Sequence, residues 1–241
     1  MTLPVAILAG GEGTRVAHLT SEQLPKAMLP LNDRPFVDYQ LANLADQGIR
    51  RVLLLVGYGG ETIRRHVENG SRFGLEVDYA FDGPKLLGTG GAIRAALGRL
   101  PAEFWVTYGD TLLQVPIEAV EERFLSSSLT ACMTVLRNRD RWETSNVAIE
   151  GDLVAAYEKG AAPGTYDYID YGMILFRRVG FERFATGEVF DLADLLTLLV
   201  RYRQLGWFEV EDRFYDIGTE ERYRATSMHV EEGEAWGRLR G

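Results

Sequence analysis

Hydrophobic residues in the first 125 positions alternate between short apolar runs, typical of buried strands, and longer segments with helical spacing. The predicted strands are 5–8, 51–56, 75–79 and 104–108. The predicted helices between them are 35–47, 61–67 and 90–100. Strands that alternate with helices predict an α/β fold of the three-layer αβα, Rossmann-like kind, with a mostly parallel central sheet covered on both faces.

The pattern changes after residue 125, where strands follow one another with short connections. These predicted strands are 129–136, 146–149, 153–157, 171–176, 207–210 and 214–215. The predicted helices are 191–203, which has a broad leucine-rich face, and 220–231. We interpret this half as a continuation of the sheet, which makes the sheet mixed, plus a small β-rich lid that shapes a substrate pocket. It is too short to stand as a separate domain, so a single domain spanning 1–241 is predicted.

Composition places the chain among ordinary globular proteins, with 46% hydrophobic and 25% charged residues in 241. No apolar run reaches the roughly 18 residues that a membrane helix needs. The first ten residues lack the basic start and cleavage site of a signal peptide. Cys132 is the only cysteine and lies in an apolar run, so we expect a buried thiol and no internal disulfide. These features predict a cytoplasmic protein without membrane partners.

The net charge of −9 argues against a nucleic-acid partner, because nucleic-acid binders normally present a basic face. It does not argue against small anionic ligands. A few cations, backbone N–H groups and a divalent metal ion hold a phosphate whatever the overall charge.

A glycine-rich loop, Leu8-Ala-Gly-Gly-Glu-Gly-Thr-Arg15, follows the first predicted strand directly. Glycines let backbone N–H groups approach phosphate oxygens, so the loop predicts an anion-binding turn. A dinucleotide fingerprint would need a third glycine and then a helix. Val16 follows Arg15 here, and prolines stand at Pro25 and Pro30. A Rossmann oxidoreductase remains the weaker alternative, and the Gly-x-Gly pattern by itself fits a tight structural turn equally well.

The same loop, followed by Leu24-Pro25-Lys26, resembles the signature of the sugar-1-phosphate nucleotidyltransferases, also called sugar-nucleotide pyrophosphorylases. Further segments resemble this family in the same order along the chain. They are Leu87-Gly-Thr-Gly-Gly-Ala92, Tyr108-Gly-Asp110, Tyr157-Glu-Lys159 and Phe214-Tyr-Asp-Ile-Gly-Thr219. Five ordered motifs over most of the chain are far more specific than the first alone. The resemblance implies the family's fold, with a nucleotide-binding half over 1–125 and a sugar-phosphate-binding half over 126–241.

The resemblance implies transfer of a nucleotidyl group from an NTP to a sugar 1-phosphate, with release of pyrophosphate and with Mg²⁺ as the cofactor. Arg15 would hold the β and γ phosphates, and Lys26 would lie between the α-phosphate and the attacking sugar phosphate. Asp110 and Asp216 would bind Mg²⁺, whose preferred ligands are hard oxygens. The alternatives are a surface arginine, a solvated loop lysine, and for Asp110 a turn or helix cap.

The remaining predicted site residues contact the two substrates. The predicted nucleotide-binding residues are Leu8, Ala9, Gly10, Gly11, Gly13, Thr14, Arg15, Asp82, Gly88, Thr89, Gly90 and Gly109. The predicted sugar-phosphate-binding residues are Lys26, Glu158, Lys159, Tyr171 and Gly172. Thr89 has a helix N-cap as its alternative, Glu158 and Lys159 a charged strand end, and Tyr171 with Gly172 an ordinary buried strand.

The base and the sugar are less well defined by the motifs. Several family members read the base with a glutamine just before the Gly-Thr-Gly loop, whereas this chain has Phe81-Asp-Gly-Pro-Lys85 and no glutamine. The combined motifs look most like the bacterial heptose-1-phosphate guanylyltransferases, which predicts GTP, with Asp82 accepting hydrogen bonds from guanine N1 and N2. Uridylyl or thymidylyl transfer, a cofactor nucleotidyltransferase and a non-catalytic sugar-nucleotide-binding regulator are the alternatives. Assembly as a monomer or a small homo-oligomer is left open.

Overall fold

Alternating strands and helices build this protein, as the hydrophobic pattern predicts. The computed structural model describes residues 2–11, 24–83 and 86–232. The strands there are β1 (Val5–Leu8), β2 (Pro30–Leu31), β3 (Arg34–Pro35), β4 (Arg51–Val56), β5 (Glu76–Phe81), β6 (Glu103–Tyr108), β7 (Thr111–Leu112), β8 (Ala131–Arg137), β9 (Val147–Glu150), β10 (Leu153–Tyr157), β11 (Tyr168–Arg177), β12 (Leu205–Val210) and β13 (Tyr215–Asp216).

The α-helices in the described part of the chain are α1 (Phe36–Asp46), α2 (Gly60–Val67), α3 (Gly88–Ala96), α4 (Ile117–Leu125), α5 (Val179–Glu182), α6 (Leu192–Arg201) and α7 (Glu220–Glu232). Short 3₁₀ turns span Lys26–Met28, Ser71–Phe73 and Leu97–Arg99. None of the helices in these described ranges is long and apolar enough to cross a membrane.

The chain forms two compact units that interleave along the sequence. Unit 1 comprises Met1–Lys85, Thr107–Leu113 and Phe214–Gly241, and unit 2 comprises Leu86–Val106 and Gln114–Arg213. The sequence predicted two consecutive halves that divide at residue 125, whereas the two units interleave. The single domain stays a prediction. Strand β6 belongs to unit 2 up to Val106 and delivers its last two residues, Thr107 and Tyr108, to unit 1.

Unit 1 contains a parallel arrangement of β1, β4 and β5, with Val5 opposite Val52 and Val52 opposite Val77. The middle strand β4 is apolar and buried after its first residue, as expected for a parallel strand with both faces covered. Two short antiparallel ladders, β2 with β3 and β7 with β13, complete the strands of this unit. A core of Leu29, Leu31, Phe36, Tyr39, Leu112 and Ile217 joins them, and Tyr215, Tyr223 and Val230 pack against it.

Unit 2 contains the β-rich segment that the sequence predicted after residue 125. Strand β8 pairs antiparallel with β11 and parallel with β12, and β12 pairs antiparallel with β10. Strand β9 pairs with β10 and also, through Val147 opposite Tyr168, with β11. The five strands therefore form a closed ring. Cys132 lies in it at 4% exposure, and burial raises the pKa of its thiol to about 12, which confirms a buried cysteine.

Candidate active site

Gly10, two residues after β1, lies very close to the backbone of Gly57 and to the side chain of Asp82. A Cβ atom on Gly57 would lie 3.0 Å from both the Gly10 carbonyl oxygen and Asp82 Oδ2. A Cβ atom on Gly10 would lie 3.1 Å from the same carboxylate oxygen. Asp82 directly follows β5 and donates its backbone N–H to Val56 O at 2.8 Å. Burial raises the pKa of the Asp82 carboxyl group, so Asp82 is a carboxylate partly removed from water beside the predicted phosphate loop.

The ends of β1 and β6 meet at a second glycine. Gly109 N donates to Leu8 O at 2.9 Å, and a Cβ atom on Gly109 would lie only 3.0 Å from the Ala9 Cα atom. Leu8, Ala9, Gly10 and Gly109 are thus brought together at the carboxyl ends of strands, where ligands collect in α/β sheets. Gly11 is exposed. The predicted residues Gly13, Thr14 and Arg15 lie outside the described residues.

Lys26 and Asp110 form an ion pair between Lys26 Nζ and Asp110 Oδ2. Lys26 opens the 3₁₀ turn Lys26–Met28 directly after Pro25, and Asp110 stands between β6 and β7. The side chains are 16% and 28% exposed respectively, so water screens the pair less than a surface pair. The structure therefore brings together two of the predicted catalytic residues, which are 84 positions apart in the sequence.

Helix α1 fixes the backbone segment that carries Asp110. Gln40 Nε2 donates to the carbonyl oxygens of Tyr108 and Thr111 at 2.7 and 2.8 Å, and Asn43 Nδ2 donates to Leu113 O at 2.8 Å. Both amide side chains are buried, so these hydrogen bonds satisfy carbonyl groups that would otherwise be costly to bury. This role was not predicted, although two amides three positions apart in α1 were a visible signal.

Asp216 reaches the same region through the ladder of β7 and β13. Asp216 pairs with Thr111, and Ile217 N donates to Asp110 O at 3.1 Å. The backbones of the two predicted metal ligands are therefore adjacent, with Asp216 on β13 and Asp110 directly before β7. Asp216 Oδ1 accepts the Gly218 N–H at 2.7 Å and lies 3.3 Å from Arg222 Nε. Thr226 Oγ1 donates to Asp216 O at 2.7 Å, which ties helix α7 to this strand.

The two aspartates fit a magnesium ion in number and in kind. Mg²⁺ is usually held by one or two carboxylates plus substrate phosphates and water rather than by a cage of protein ligands. In the described ranges no cluster of three or more His, Cys, Asp and Glu side chains could hold a metal ion. Asp110 and Asp216 each face a cationic side chain of this chain. The region therefore already neutralises two carboxylates, and a divalent cation would do the same.

The predicted base and ribose loop lies in unit 2 at the start of α3, and a phenylalanine side chain leaves no room for a Cβ atom at Gly90. A Cβ atom on Gly90 would lie 2.2 Å from the Phe190 ring, and the N–H groups of Gly90 and Gly91 both donate to Phe190 O. Thr89 lies inside α3, which begins at Gly88, two residues earlier than predicted. Its hydroxyl accepts the Leu192 N–H at 2.8 Å, so the alternative of an N-cap for α3 is wrong. Nucleotide contact by this loop stays a prediction.

Two of the predicted sugar-phosphate residues, Glu158 and Lys159, directly follow β10, and Lys159 lies beside Asp170, a carboxylate that was not predicted. Tyr166 OH donates to Glu158 Oε2 at 2.9 Å. Asp170 on β11 accepts the Gly172 N–H at 3.0 Å. Desolvation raises the pKa of Asp170 to about 6, against the opposing effects of that hydrogen bond and of the positive charge of Lys159. The sequence marks Asp170 only as a charged residue within an apolar strand, which does not report its raised pKa.

Tyr171 belongs to the core of unit 2. Its side chain is 1% exposed, and its hydroxyl accepts the Gln114 N–H at 3.1 Å. The placement favours the alternative of an ordinary buried strand residue. Gly172 has φ of +97°, a backbone conformation that glycine adopts at no steric cost, and it turns its N–H toward Asp170.

Comparison with known proteins assigns the family. The family model described as nucleotidyl transferase matches residues 5–233, which is most of the chain. The chain belongs to the nucleotidyl transferase family. The match confirms the resemblance drawn from the five motifs, and it makes the protein a transferase by family.

Relatives of this nucleotidyl transferase include two named D-glycero-alpha-D-manno-heptose 1-phosphate guanylyltransferase. The protein from Campylobacter jejuni is 31% identical over 217 residues, covering 90% of this chain and 95% of its own length. The protein from Aneurinibacillus thermoaerophilus is 31% identical over 230 residues, covering 93% and 97%. The crystal structure of HddC from Yersinia pseudotuberculosis complexed with GMP-PN matches with a TM-score of 0.79 and 26% identity, covering 95% of this chain and 99% of that one. The match confirms the predicted α/β fold class.

Proposed function

We propose that this nucleotidyl transferase moves a guanylyl group from GTP to a heptose- or mannose-type sugar 1-phosphate, producing a GDP-sugar and pyrophosphate. The observation that carries the proposal is the assembly of Lys26, Asp110 and Asp216 in unit 1, next to the glycines that end β1 and β6. The heptose guanylyltransferases among its relatives supply the base and the sugar class.

The chemistry joins two anionic groups, so positioning and charge neutralisation supply most of the rate. An oxygen of the sugar phosphate attacks the α-phosphorus of GTP, and the bond to the pyrophosphate oxygen breaks opposite to it. Lys26 would leave part of its contact with Asp110 and neutralise the α-phosphate and the incoming phosphate. Asp110 and Asp216 would hold Mg²⁺, which supplies positive charge to the phosphate oxygens when it is bound.

Asp82 is our candidate for reading the base. Guanine offers two adjacent donors, N1–H and N2–H, which match the two oxygens of one carboxylate, whereas uracil offers a single N–H. No other described residue hydrogen-bonds the Asp82 carboxylate, and burial raises its pKa, so a matching donor would relieve an unfavourable state. We expect Asp82→Asn to lower kcat/KM for GTP by about tenfold to a hundredfold, since each lost bond to a charged group costs about 1.5–3 kcal/mol. Unchanged preference for GTP over UTP in that variant would contradict this role.

The sugar phosphate would be met by Lys159, with Glu158 on the sugar hydroxyls, as the resemblance implies. Arg15, Gly13 and Thr14 would hold the leaving pyrophosphate. Further parts of the proposal are Mg²⁺ as the metal ion, a cytoplasmic location, and the absence of nucleic-acid and membrane partners. The net charge of −9 supports the absence of a nucleic-acid partner, because such partners normally require a basic face.

The deciding experiment measures pyrophosphate release across GTP, UTP, dTTP, CTP and ATP with a panel of sugar 1-phosphates, with and without Mg²⁺. We expect release only with GTP, a heptose or mannose 1-phosphate and the metal. Asp110→Asn should lower the rate by more than about a hundredfold, on the scale of losing one electrostatic catalytic group. The matched control is Asp152→Asn, which changes a carboxylate that is 90% exposed and should leave the rate unchanged.

Other patterns of release would redirect the proposal. Release with UTP or dTTP instead of GTP would replace the guanylyl group by another nucleotidyl group within the same family. No release from folded protein in any combination, together with thermal stabilisation by GTP, would favour a nucleotide-binding regulator that lacks the chemistry.

A further inference from the structure

Arg222, on the first turn of α7, contacts one of the two predicted metal ligands. Arg222 Nε lies 3.3 Å from Asp216 Oδ1, the oxygen that also accepts the Gly218 N–H at 2.7 Å. The side chains of Arg222 and Asp216 are only 25% and 10% exposed. An ion pair this shielded from water is stronger than a surface pair, and breaking it leaves a poorly solvated charge.

The local sequence is built around this contact. A Cβ atom on Gly218 would lie 2.8 Å from Asp216 Oδ1 and 2.9 Å from Arg222 Nη2, so only glycine lets the guanidinium close over the carboxylate. Thr219 directly precedes α7 and accepts both the backbone N–H and the Nε–H of Arg222 on its hydroxyl, each at 3.3 Å. The Asp-Ile-Gly-Thr segment therefore positions the arginine as well as the aspartate.

Arg222 stands where a helix disfavours positive charge. It is the third residue of α7, directly after Glu220 and Glu221. Acidic residues are stabilising in the first turn because the helix N-terminus carries partial positive charge, and cations there are unfavourable. Asp216 gives a local reason for an arginine at this position, and sequences commonly break such local rules at functional sites.

We propose that Arg222 is a built-in counter-cation for Asp216 that competes with the divalent metal ion. This inference rests on the proposed function, in which Asp216 is a metal ligand. Without metal, the guanidinium neutralises the carboxylate and keeps it oriented. When a metal ion binds, two cations share one carboxylate and repel each other, so each weakens the binding of the other by the same factor. The metal-free site is thereby protected from binding a divalent ion too tightly in the absence of substrate phosphates.

The experiment titrates the full chain with MgCl₂ alone and follows the thermal unfolding midpoint, with isothermal titration calorimetry as the direct measure of Kd. We expect Arg222→Gln to unfold at a lower temperature without metal and to bind Mg²⁺ about fivefold more tightly or better, the lower end of typical coupling between two ligands. Arg222→Lys keeps the positive charge, so its affinity should fall between those of the wild type and Arg222→Gln.

The matched control is Arg224→Gln, which removes the same charge from the same helix. Arg224 is 74% exposed and pairs with Glu220 instead, so this variant should bind Mg²⁺ with wild-type affinity. Weaker Mg²⁺ binding by Arg222→Gln would make Arg222 an orienting partner of the ligand and would overturn competition. Equal affinity in all variants would overturn it too. Should Arg222→Gln fail to fold, Arg222→Lys decides, since wild-type affinity there refutes the inference.

The wild type and Asp110→Asn test separately whether the metal site itself exists. If the wild type and all three arginine variants show no Mg²⁺ binding, and Asp110→Asn behaves alike, the metal assignment of the proposed function fails and this inference fails with it. If the wild type binds Mg²⁺ and Asp110→Asn does not, the assignment of the metal site holds. The affinities of the arginine variants then test whether Arg222 competes with the metal ion.

Discussion

Replacing Asp170 by asparagine should stabilise the protein at neutral pH. Desolvation raises the pKa of this carboxyl group from 3.8 to about 6, so the folded state disfavours the ionised form. The difference between 3.8 and about 6 corresponds to about 3 kcal/mol of free energy of unfolding. Because Asp170 is not completely buried, we expect the measured gain to be about 1–3 kcal/mol. Asparagine keeps an oxygen for the Gly172 N–H and removes only the charge.

The sign of the pH dependence follows from the direction of the shift. The folded protein holds the Asp170 proton at pH values where the unfolded chain has released it. The stabilisation due to that proton is therefore fully present below about pH 4 and is lost as the pH rises through about 6. The advantage of Asp170→Asn over the wild type should consequently be small near pH 4, grow up to about pH 6 to 7 and stay constant above.

Urea unfolding followed by tryptophan fluorescence, from about pH 4.5 to pH 8, measures this difference. Subtracting wild type from variant at each pH removes the contribution of the other titrating groups. Asp152→Asn is the control, because its carboxylate is 90% exposed and its substitution should change stability by no more than about 0.5 kcal/mol. A difference for Asp170→Asn that is independent of pH, or a loss of stability at pH 8, would refute the reasoning. A carboxylate that lowers stability and lies beside Lys159 is consistent with a functional role. The KM for the sugar phosphate should therefore rise in Asp170→Asn.

Three further predictions concern residues that the structure places in tight contacts. Gly90→Ala should destabilise the fold by about 1–3 kcal/mol in thermal unfolding, because the added methyl group overpacks against the Phe190 ring. The double variant with Phe190→Ala should recover part of this stability. In Gly98→Ala, the control, the added Cβ atom meets no described atom within 4 Å, so stability should be near that of the wild type. Native Cys132 should resist alkylation by iodoacetamide at about pH 8 and react in urea, since burial holds the pKa of its thiol near 12; labelling of the native protein at the rate of a free thiol would contradict its placement. Tyr171→Phe should cost about 0.5–1.5 kcal/mol in urea unfolding, because the partly buried Gln114 N–H loses its hydrogen bond to the Tyr171 hydroxyl. A neutral result would mean that water replaces this hydroxyl.

The strands and helices were largely predictable because their signals are local. The runs at 5–8 and 51–56 appear as β1 and β4 with the predicted bounds, and the leucine-rich segment after Asp191 forms α6. The hairpin of β2 and β3 was missed, since it depends on Asn32 adopting a left-handed conformation with φ of +56°. Turn conformations of this kind leave a weak trace in the hydrophobic pattern.

The residues of the candidate site were predictable where they belong to sequence motifs. The contacts between distant segments were not. The motifs selected Lys26 and Asp110, but nothing in the spacing of residues 84 positions apart implies their ion pair. The glycines of α3 were assigned to the nucleotide, whereas a phenylalanine 100 positions further on requires Gly90 to lack a side chain. Asp170 was passed over because its unusual protonation depends on desolvation by the surrounding fold, which a sequence pattern does not report.

The closed ring of unit 2 has a consequence for the order in which the chain becomes native during synthesis. Strand β12, residues 205–210, inserts between β8 and β10 and is the last of the five strands to leave the ribosome. Until it arrives, β8 and β10 each keep an edge with unpaired backbone groups, which is the geometry that recruits strands from other chains. Fragments that end before residue 205 should therefore aggregate, and chaperone dependence should drop once translation has passed residue 210.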